Sequence, residues 1–309
     1  MMADRMEGEV GVVGLGKMGK NIAIQLMKKG YRITVWNRSE EPVGELKGIG
    51  ASGSGSVEEL VGKLTAPRTV WVMLPAGDVT NEMIERLSGL LQKGDIVIDG
   101  SNSEYKYAVE QHKALAAKGI EFLDAGCSGG PSGALNGMSI MVGGEKSAFE
   151  KKRKLFEDLS VKNGCAYMGG PGTGHFVKMV HNAIEYGMMQ SIAEGMDLVA
   201  NGPYRDIDLR EVAKVWNNGS VIRGYLMELT GRAIGKDSKL ESIEPYVEDT
   251  GEGRWSVQSA VEHGIPFTSI THSLYQRFSS RSKYRFGDRL LAALRHEFGG
   301  HEVKKKGEE

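Results

Sequence analysis

Gly14-Leu15-Gly16-Lys17-Met18-Gly19 reads G-x-G-x-x-G, and its surroundings constrain the chain more than the string itself. Glu9–Val13 is a short apolar run that reads as a buried strand. Lys17–Lys29 follows with Met18, Ile22, Leu26 and Met27 at helical spacing, and Gly30 is placed to end that helix. A strand, a glycine turn and a helix in this order open a dinucleotide-binding strand–helix–strand unit. Gly14 permits the tight turn, Gly16 lets backbone approach a pyrophosphate, and Gly19 lets helix and strand pack closely. Free N–H groups at the helix start favour an anion. The six loop residues Gly14, Leu15, Gly16, Lys17, Met18 and Gly19 are therefore coenzyme candidates.

Strand and helix go on alternating through the first half. Arg32–Trp36, Thr69–Leu74, Asp95–Asp99 and Ile120–Ala125 read as apolar strands. Helices are expected from Ser56, with capping-box spacing to Glu59, and at Tyr105–Ala117 and Lys146–Leu159. Ser139–Val142 and Ala166–Met168 read as further short strands, and Gly48–Gly55 as a plain loop. Apolar strands alternating with helices imply an α/β fold with a doubly wound, Rossmann-type parallel sheet. After Gly170 the texture changes. Phe176–Ala200 runs without a proline, and helical segments follow at Leu209–Trp216, Ile222–Gly231, Ser256–His263 and Ser269–Phe278. Residues 1–170 are expected to bind a dinucleotide. Residues 171–309 are expected to form an all-helical domain for substrate binding and dimerisation.

Composition narrows the function. Of 43 glycines, 29 lie within residues 1–174, yet only 8 prolines occur and 40% of residues are apolar, so the excess marks turns and ligand contacts rather than disorder. Net charge is −1, which gives no basic field for nucleic acid. No apolar run approaches the ~18 residues that span a bilayer. The polar start lacks the apolar core of a signal peptide. Cys127 and Cys165 cannot form a disulfide framework, so a cytoplasmic location is expected. No metal-ligand spacing is present, and no metal is expected.

The end of the second strand bears on coenzyme choice. An NAD site usually places Asp or Glu there. This chain has Asn37-Arg38-Ser39, and Arg38 can pair with a 2′-phosphate, which favours NADP while leaving NAD open. Leu74-Pro75-Ala76 after the third strand and Asn102 after the fourth are further coenzyme candidates, because ligands gather beyond strand C-termini.

Chemistry concentrates at the start of the long helix. Lys178, Asn182 and Glu185 stand at i, i+4 and i+7 and share one face, with Tyr186 beside them. Surface lysines and glutamates often make such a stripe. The turn Asp124-Ala125-Gly126-Cys127-Ser128-Gly129-Gly130 adds weight, because it follows a strand and can present a hydroxyl and bare N–H groups. Cys127 has no histidine partner in sequence and reads as structural.

These pieces together closely resemble the decarboxylating 6-phosphogluconate dehydrogenase family in its short-chain branch. The resemblance runs from about Val10 to His301, through GLGKMG, WNRS, DGSNS, the SGG turn, GHFVKMVHNAIEY, GEGRW and RHEFGGH. It implies that Lys178 acts as general base on the substrate's 3-hydroxyl, that CO₂ leaves from the 3-keto acid, and that Glu185 protonates the enediol. Asn182 would belong to the same catalytic group. Asn102, Ser128, Gly129, Gly130, His181 and Asn182 would hold hydroxyls and carboxylate, with Tyr186 and Arg277 at the phosphate. Arg295 and His301 would reach the substrate of a neighbouring subunit, so the active unit would be at least a dimer. A lysine base working near pH 7–8 needs its pKa about 3 units below ~10.4, roughly 4 kcal/mol.

The chain departs from long-chain members at Thr250 and Glu252, and a carboxylate beside phosphate is repulsive, so Glu252 is expected to turn elsewhere. Two rival readings remain. One is a dehydrogenase of a smaller β-hydroxy acid such as hydroxyisobutyrate, against which Glu185-Tyr186 and the RHEFGGH tail argue. The other is a catalytically silent NADP-binding module, against which the presence of Lys178, Ser128 and Asn182 argues.

Overall fold

The computed structural model describes residues 7–300 and 302–304. Strands run β1 Gly8–Val13, β2 Tyr31–Trp36, β3 Ser52–Gly53, β4 Thr69–Val72, β5 Ile96–Asp99, β6 Glu121–Ser128, β7 Met138–Gly144 and β8 Ser160–Gly169. Between them lie α1 Lys17–Lys28, α2 Glu40–Lys47, α3 Val57–Lys63, α4 Asp78–Leu90, α5 Tyr105–Ala116, α6 Gly130–Asn136 and α7 Lys146–Leu159. Helices α8 Thr173–Asn201, α9 Leu209–Asn217, α10 Tyr225–Lys236, α11 Glu252–Glu262, α12 Thr268–Arg281 and α13 Phe286–Gly299 complete the described chain. Two compact units result, residues 1–183 and 184–309.

One sheet organises the first unit, in the order β3-β2-β1-β4-β5-β6-β7-β8. Strands β1 to β6 are parallel, whereas β7 runs antiparallel to β6 and parallel to β8. The reversal has a simple cause. Only α6 and its caps join β6 to β7, short of the dozen or so residues that a parallel crossover needs. The loop reading of Gly48–Gly55 is corrected: Ser52 and Gly53 pair with Thr34 and Val35 as the edge strand β3. Two residues without an apolar side chain leave no periodic signal.

Alternation along the strands builds two cores, one on each face. Trp71, Ile96, Ile98 and Leu123 face a cluster with Ile22, Leu26, Phe149 and Phe156. Val70, Val72, Val97 and Phe122 face Leu60, Ile84, Leu87 and Leu115. Adjacent residues alternate faces, the period-two pattern of a covered sheet. At α3, the Ser56 hydroxyl accepts from Glu59 N–H and Glu59 reaches back to Gly55 N–H, so the capping signal was a true helix start.

Helix α8 begins where β6 and β7 leave no room for side chains. A Cβ at Gly126 would collide with the Lys178 side chain and the Gly174 carbonyl, and one at Gly174 with the Asp124 carbonyl. The buried Asp124 carboxylate accepts from Gly172 N–H and His175 N–H, both at 2.8 Å. A carboxylate at a helix start satisfies unpaired donors and complements the dipole.

The second unit is helical. Tyr186, Met196, Ala213, Met227, Ile234, Ala260 and Leu274 are buried within it. Among the described residues no helix is long and apolar enough to cross a membrane.

Gly126→Ala should cost about 1–3 kcal/mol by overpacking the seat of α8. Gly62→Ala, where a Cβ meets nothing within 4 Å, should be neutral or stabilising by up to ~1 kcal/mol. Urea unfolding of the two variants checks the contrast.

Candidate active site

The glycine loop has the shape its sequence implied. Gly14 has φ +93°, and a Cβ there would strike the Met73 carbonyl, while one at Gly19 would strike the Gly14 carbonyl. Leu15 N–H donates to Asn37 Oδ1 at 3.0 Å, which ties the loop to the end of β2. No side chain caps α1 at Gly16, and a Cβ on Gly16 would meet nothing within 4 Å. An uncapped helix start beside open space fits the pyrophosphate of NAD(P). Lys17, Arg38 and Ser39 are exposed around it, as are Pro75 and Ala76, with Met18 and Leu74 half-buried.

Asn102 sits between two tethers. Asp99 is fully buried and accepts from Ser101 N–H at 2.9 Å and from the Ser103 hydroxyl at 2.8 Å. The Ser101 hydroxyl in turn accepts from Leu74 N–H at 3.0 Å. Asn102 is thereby held at φ +54°, and its buried Oδ1 has no partner among the described residues. An acceptor left open in this way suits a ligand hydroxyl or amide.

Asp99 also meets His175, whose Nε2 lies 3.0 Å from Oδ2 with both side chains buried. Burial opposes charge on each. The opposite charge and the hydrogen bond outweigh it, so Asp99 is held below the usual carboxylate range and His175 above the usual imidazole range. Asp124, opposite Asp99 in the sheet, pushes His175 the same way. Sequence reasoning gave this pair no role. Its members lie 76 residues apart. The only signal was an aspartate at a strand end and a histidine in a helix's first turn.

Lys178 is 5% exposed. Its Nζ donates to Asn182 Oδ1 at 2.6 Å and lies 3.3 Å from His181 Nδ1. His181 Nδ1 is 3.0 Å from the same Asn182 oxygen. His181 Nε2 lies within hydrogen-bond distance of the Ser128 hydroxyl, at 3.2 Å. Ser128, His181, Asn182 and Lys178 thus form one connected cluster in the first unit. Gly129 and Gly130 are exposed beside Ser128. Cys127 is buried behind the turn, and burial pushes its thiol up to about 12, which makes it inert near neutral pH.

The second unit gathers another set. Tyr186 is buried, with its hydroxyl 3.2 Å from Thr250 Oγ1. The Arg277 guanidinium lies 3.5 Å from the Tyr186 ring centroid. Glu252, expected to turn away, instead accepts from the Thr250 hydroxyl at 2.5 Å, one hydroxyl from Tyr186. A serviceable local donor outweighed a repulsion that only a bound phosphate would create. Glu185 is half-buried on the same helix as Lys178, and Arg295 is exposed on α13. His301 lies outside the described residues. No group of three or more His, Cys, Asp or Glu suited to a metal ion occurs among the described residues.

The fold and the loop define a dinucleotide-binding domain joined to a helical unit, and comparison with known proteins gives the family. Residues 9–170 match the NAD binding domain of 6-phosphogluconate dehydrogenase, and residues 174–288 match that enzyme's C-terminal domain. An NAD(+)-dependent, decarboxylating 6-phosphogluconate dehydrogenase from Haloferax volcanii is 40% identical, over 96% of this chain and 99% of that protein. The NADP(+)-dependent enzyme from Bacillus subtilis is 41% identical, over 89% of this chain but 62% of its own length. Among solved structures, Plasmodium falciparum 6-phosphogluconate dehydrogenase superposes with a TM-score of 0.82 at 32% identity, covering 97% of this chain and 67% of that one. The chain belongs to the 6-phosphogluconate dehydrogenase family.

The Asp99–His175 pair has a defined pH signature. A raised His175 pKa stabilises the fold below histidine's ordinary ~6.5 and loses that contribution as pH rises through the folded value. A lowered Asp99 pKa stabilises above the ordinary ~3.9 and loses it as pH falls through the folded value. The stability gap between wild type and Asp99→Asn should therefore be widest between about pH 4 and 6.5 and narrow at alkaline pH. Urea midpoints across pH measure it, and a gap that goes on widening as pH rises above about 6.5 contradicts the assignment.

Proposed function

We propose that this chain converts 6-phospho-D-gluconate to ribulose 5-phosphate and CO₂ with reduction of NAD(P). The carrying observation is the cluster of Lys178, Asn182, His181 and Ser128 beyond the strand ends of a dinucleotide-binding sheet. The named functions of the family members support the same reaction.

When bound, the nicotinamide supplies the hydride acceptor. Lys178 Nζ takes the proton of the 3-hydroxyl as C3 becomes a ketone. That ketone lies β to the carboxylate, so the C1–C2 bond breaks with its electron pair passing into an enediol, and CO₂ leaves. Glu185 delivers the proton that turns the enediol into the ketose. Asn182 and His181 keep Lys178 Nζ placed, while Ser128, Gly129, Gly130 and Asn102 hold hydroxyls and carboxylate. Tyr186 and Arg277 serve the phosphate. A buried amine suits a base more than a solvated surface lysine would.

Gly14 to Gly19, Asn37 to Ser39, Leu74 to Ala76 and Asn102 hold the coenzyme. NADP is favoured over NAD, because exposed Arg38 can meet a 2′-phosphate at the end of β2 where no carboxylate stands. Residues 1–170 serve the dinucleotide, and 171–309 serve substrate and dimerisation.

The active unit is at least a homodimer, with Arg295 and His301 reaching a neighbour's substrate. Exposure of Phe286, Leu290, Leu291 and Leu294 along α13 supports this, since large apolar side chains seldom line an unpartnered helix face. The reaction belongs to the pentose phosphate pathway in the cytoplasm, without nucleic-acid or membrane partners.

The test is a spectrophotometric assay with 6-phosphogluconate and NADP, then NAD, with CO₂ trapped. Coenzyme reduction matched by CO₂ is expected, with NADP the faster. Reduction without CO₂ would favour the smaller β-hydroxy acid reading, and silence with every hydroxy acid would favour the binding module. Lys178→Met should lower kcat by at least ~10²-fold and leave coenzyme affinity intact. Near-normal turnover would remove Lys178 from the mechanism. Truncation after residue 290 should abolish turnover with little change in coenzyme binding, and retained activity would refute the shared site.

A further inference from the structure

Two buried carboxylates stand side by side where the chemistry begins. Asp99, the last residue of β5, and Asp124, midway along β6, are register partners, and both are fully buried. Neighbouring carboxylates in a dry interior each need a separate compensation. Asp124 takes two backbone N–H groups at the start of α8. Asp99 takes Ser101 N–H, the Ser103 hydroxyl and the ring of His175. His175 answers both, through its main-chain N–H to Asp124 and its imidazole to Asp99.

That double attachment couples two functional segments. Asp99 fixes the residues on either side of Asn102, and with them the open Asn102 Oδ1. His175 precedes Lys178 by three residues on the first turns of α8, so a shift or rotation of that turn moves Nζ as well. We propose that His175 and Asp99 are a positioning pair, a buried bridge that holds Asn102 and Lys178 in one fixed relation. The pair touches neither substrate nor coenzyme. It acts through Asn102 and Lys178, and it rests on the reaction proposed above.

His175→Gln keeps an amide donor close to the imidazole Nε2 position without its charge. Asp99→Asn removes the carboxylate and leaves Ser101 and Ser103 an acceptor. In full-length protein, each variant should lower kcat with 6-phosphogluconate at least fivefold. The double variant should be no slower than the slower single, because both changes cut the same bridge. A residue that only stabilises the fold would lower Tm and leave kcat of the folded protein unchanged.

A fall in kcat below fivefold, or single losses that multiply in the double variant, overturns the pair. If His175→Gln does not fold, Asp99→Asn alone decides by the same threshold. Acylation of Lys178, followed by peptide mass spectrometry, gives a readout without turnover, and its rate should change at least fivefold in either variant. An unchanged acylation rate overturns the pair. A wild-type chain that never turns over 6-phosphogluconate overturns the reaction instead, and the acylation rate then judges the bridge.

Discussion

The polar cluster of the first unit depends on one contact, the first turn of α8 held against the end of β5 and the middle of β6. Glycines at 126 and 174 clear the space, and a Cβ at either would force the helix away. Asp124 receives the helix's unpaired N–H groups, and Asp99 receives its first buried side chain, His175. Buried carboxylates with fixed hydrogen bonds cannot be moved cheaply, because each lost partner leaves a desolvated charge. The helix therefore starts at one place, and Lys178 lies one turn further along.

From that seat the rest of the first unit's site falls into order. Lys178 and His181 both converge on Asn182 Oδ1, and His181 carries the network on to Ser128 at the end of β6. Along the neighbouring strands, Ser101 ties Leu74 to the Asn102 turn. Leu15 N–H on Asn37 binds the coenzyme loop to β2. Parallel strands deliver all these loops to one edge of the sheet, which is why a fold of this type concentrates ligand contacts there. Within the second unit, a buried tyrosine, Tyr186, has Arg277 stacked on its ring and Thr250 at its hydroxyl.

Most of the architecture was legible because it is periodic. Strands such as Tyr31–Trp36 and helices such as Lys146–Leu159 carry their faces in their spacing. Helices α2, α4 and α13 went unread, and the other elements that escaped have no such period. Strand β3 is a serine and a glycine, helix α6 begins with Gly-Pro, and the reversal at β7 follows from a connection's length rather than from any residue. The site divides the same way. Lys178 and Asn182 could be placed together because one helix sets their separation. Ser128 against His181, Asp99 against His175, and Glu252 on Thr250 depend on how distant or irregular segments meet. No helical or strand repeat reports that.

The central claim is that Lys178 is the group that meets the substrate's 3-hydroxyl. A crystal structure of the chain with 6-phosphogluconate and the oxidised coenzyme tests it most directly. Lys178 Nζ should lie within about 3.2 Å of the C3 oxygen, with Ser128 and Asn102 on the sugar acid's other oxygens. A bound substrate whose C3 oxygen lies beyond reach of Lys178, with Nζ still spent on Asn182, would contradict it.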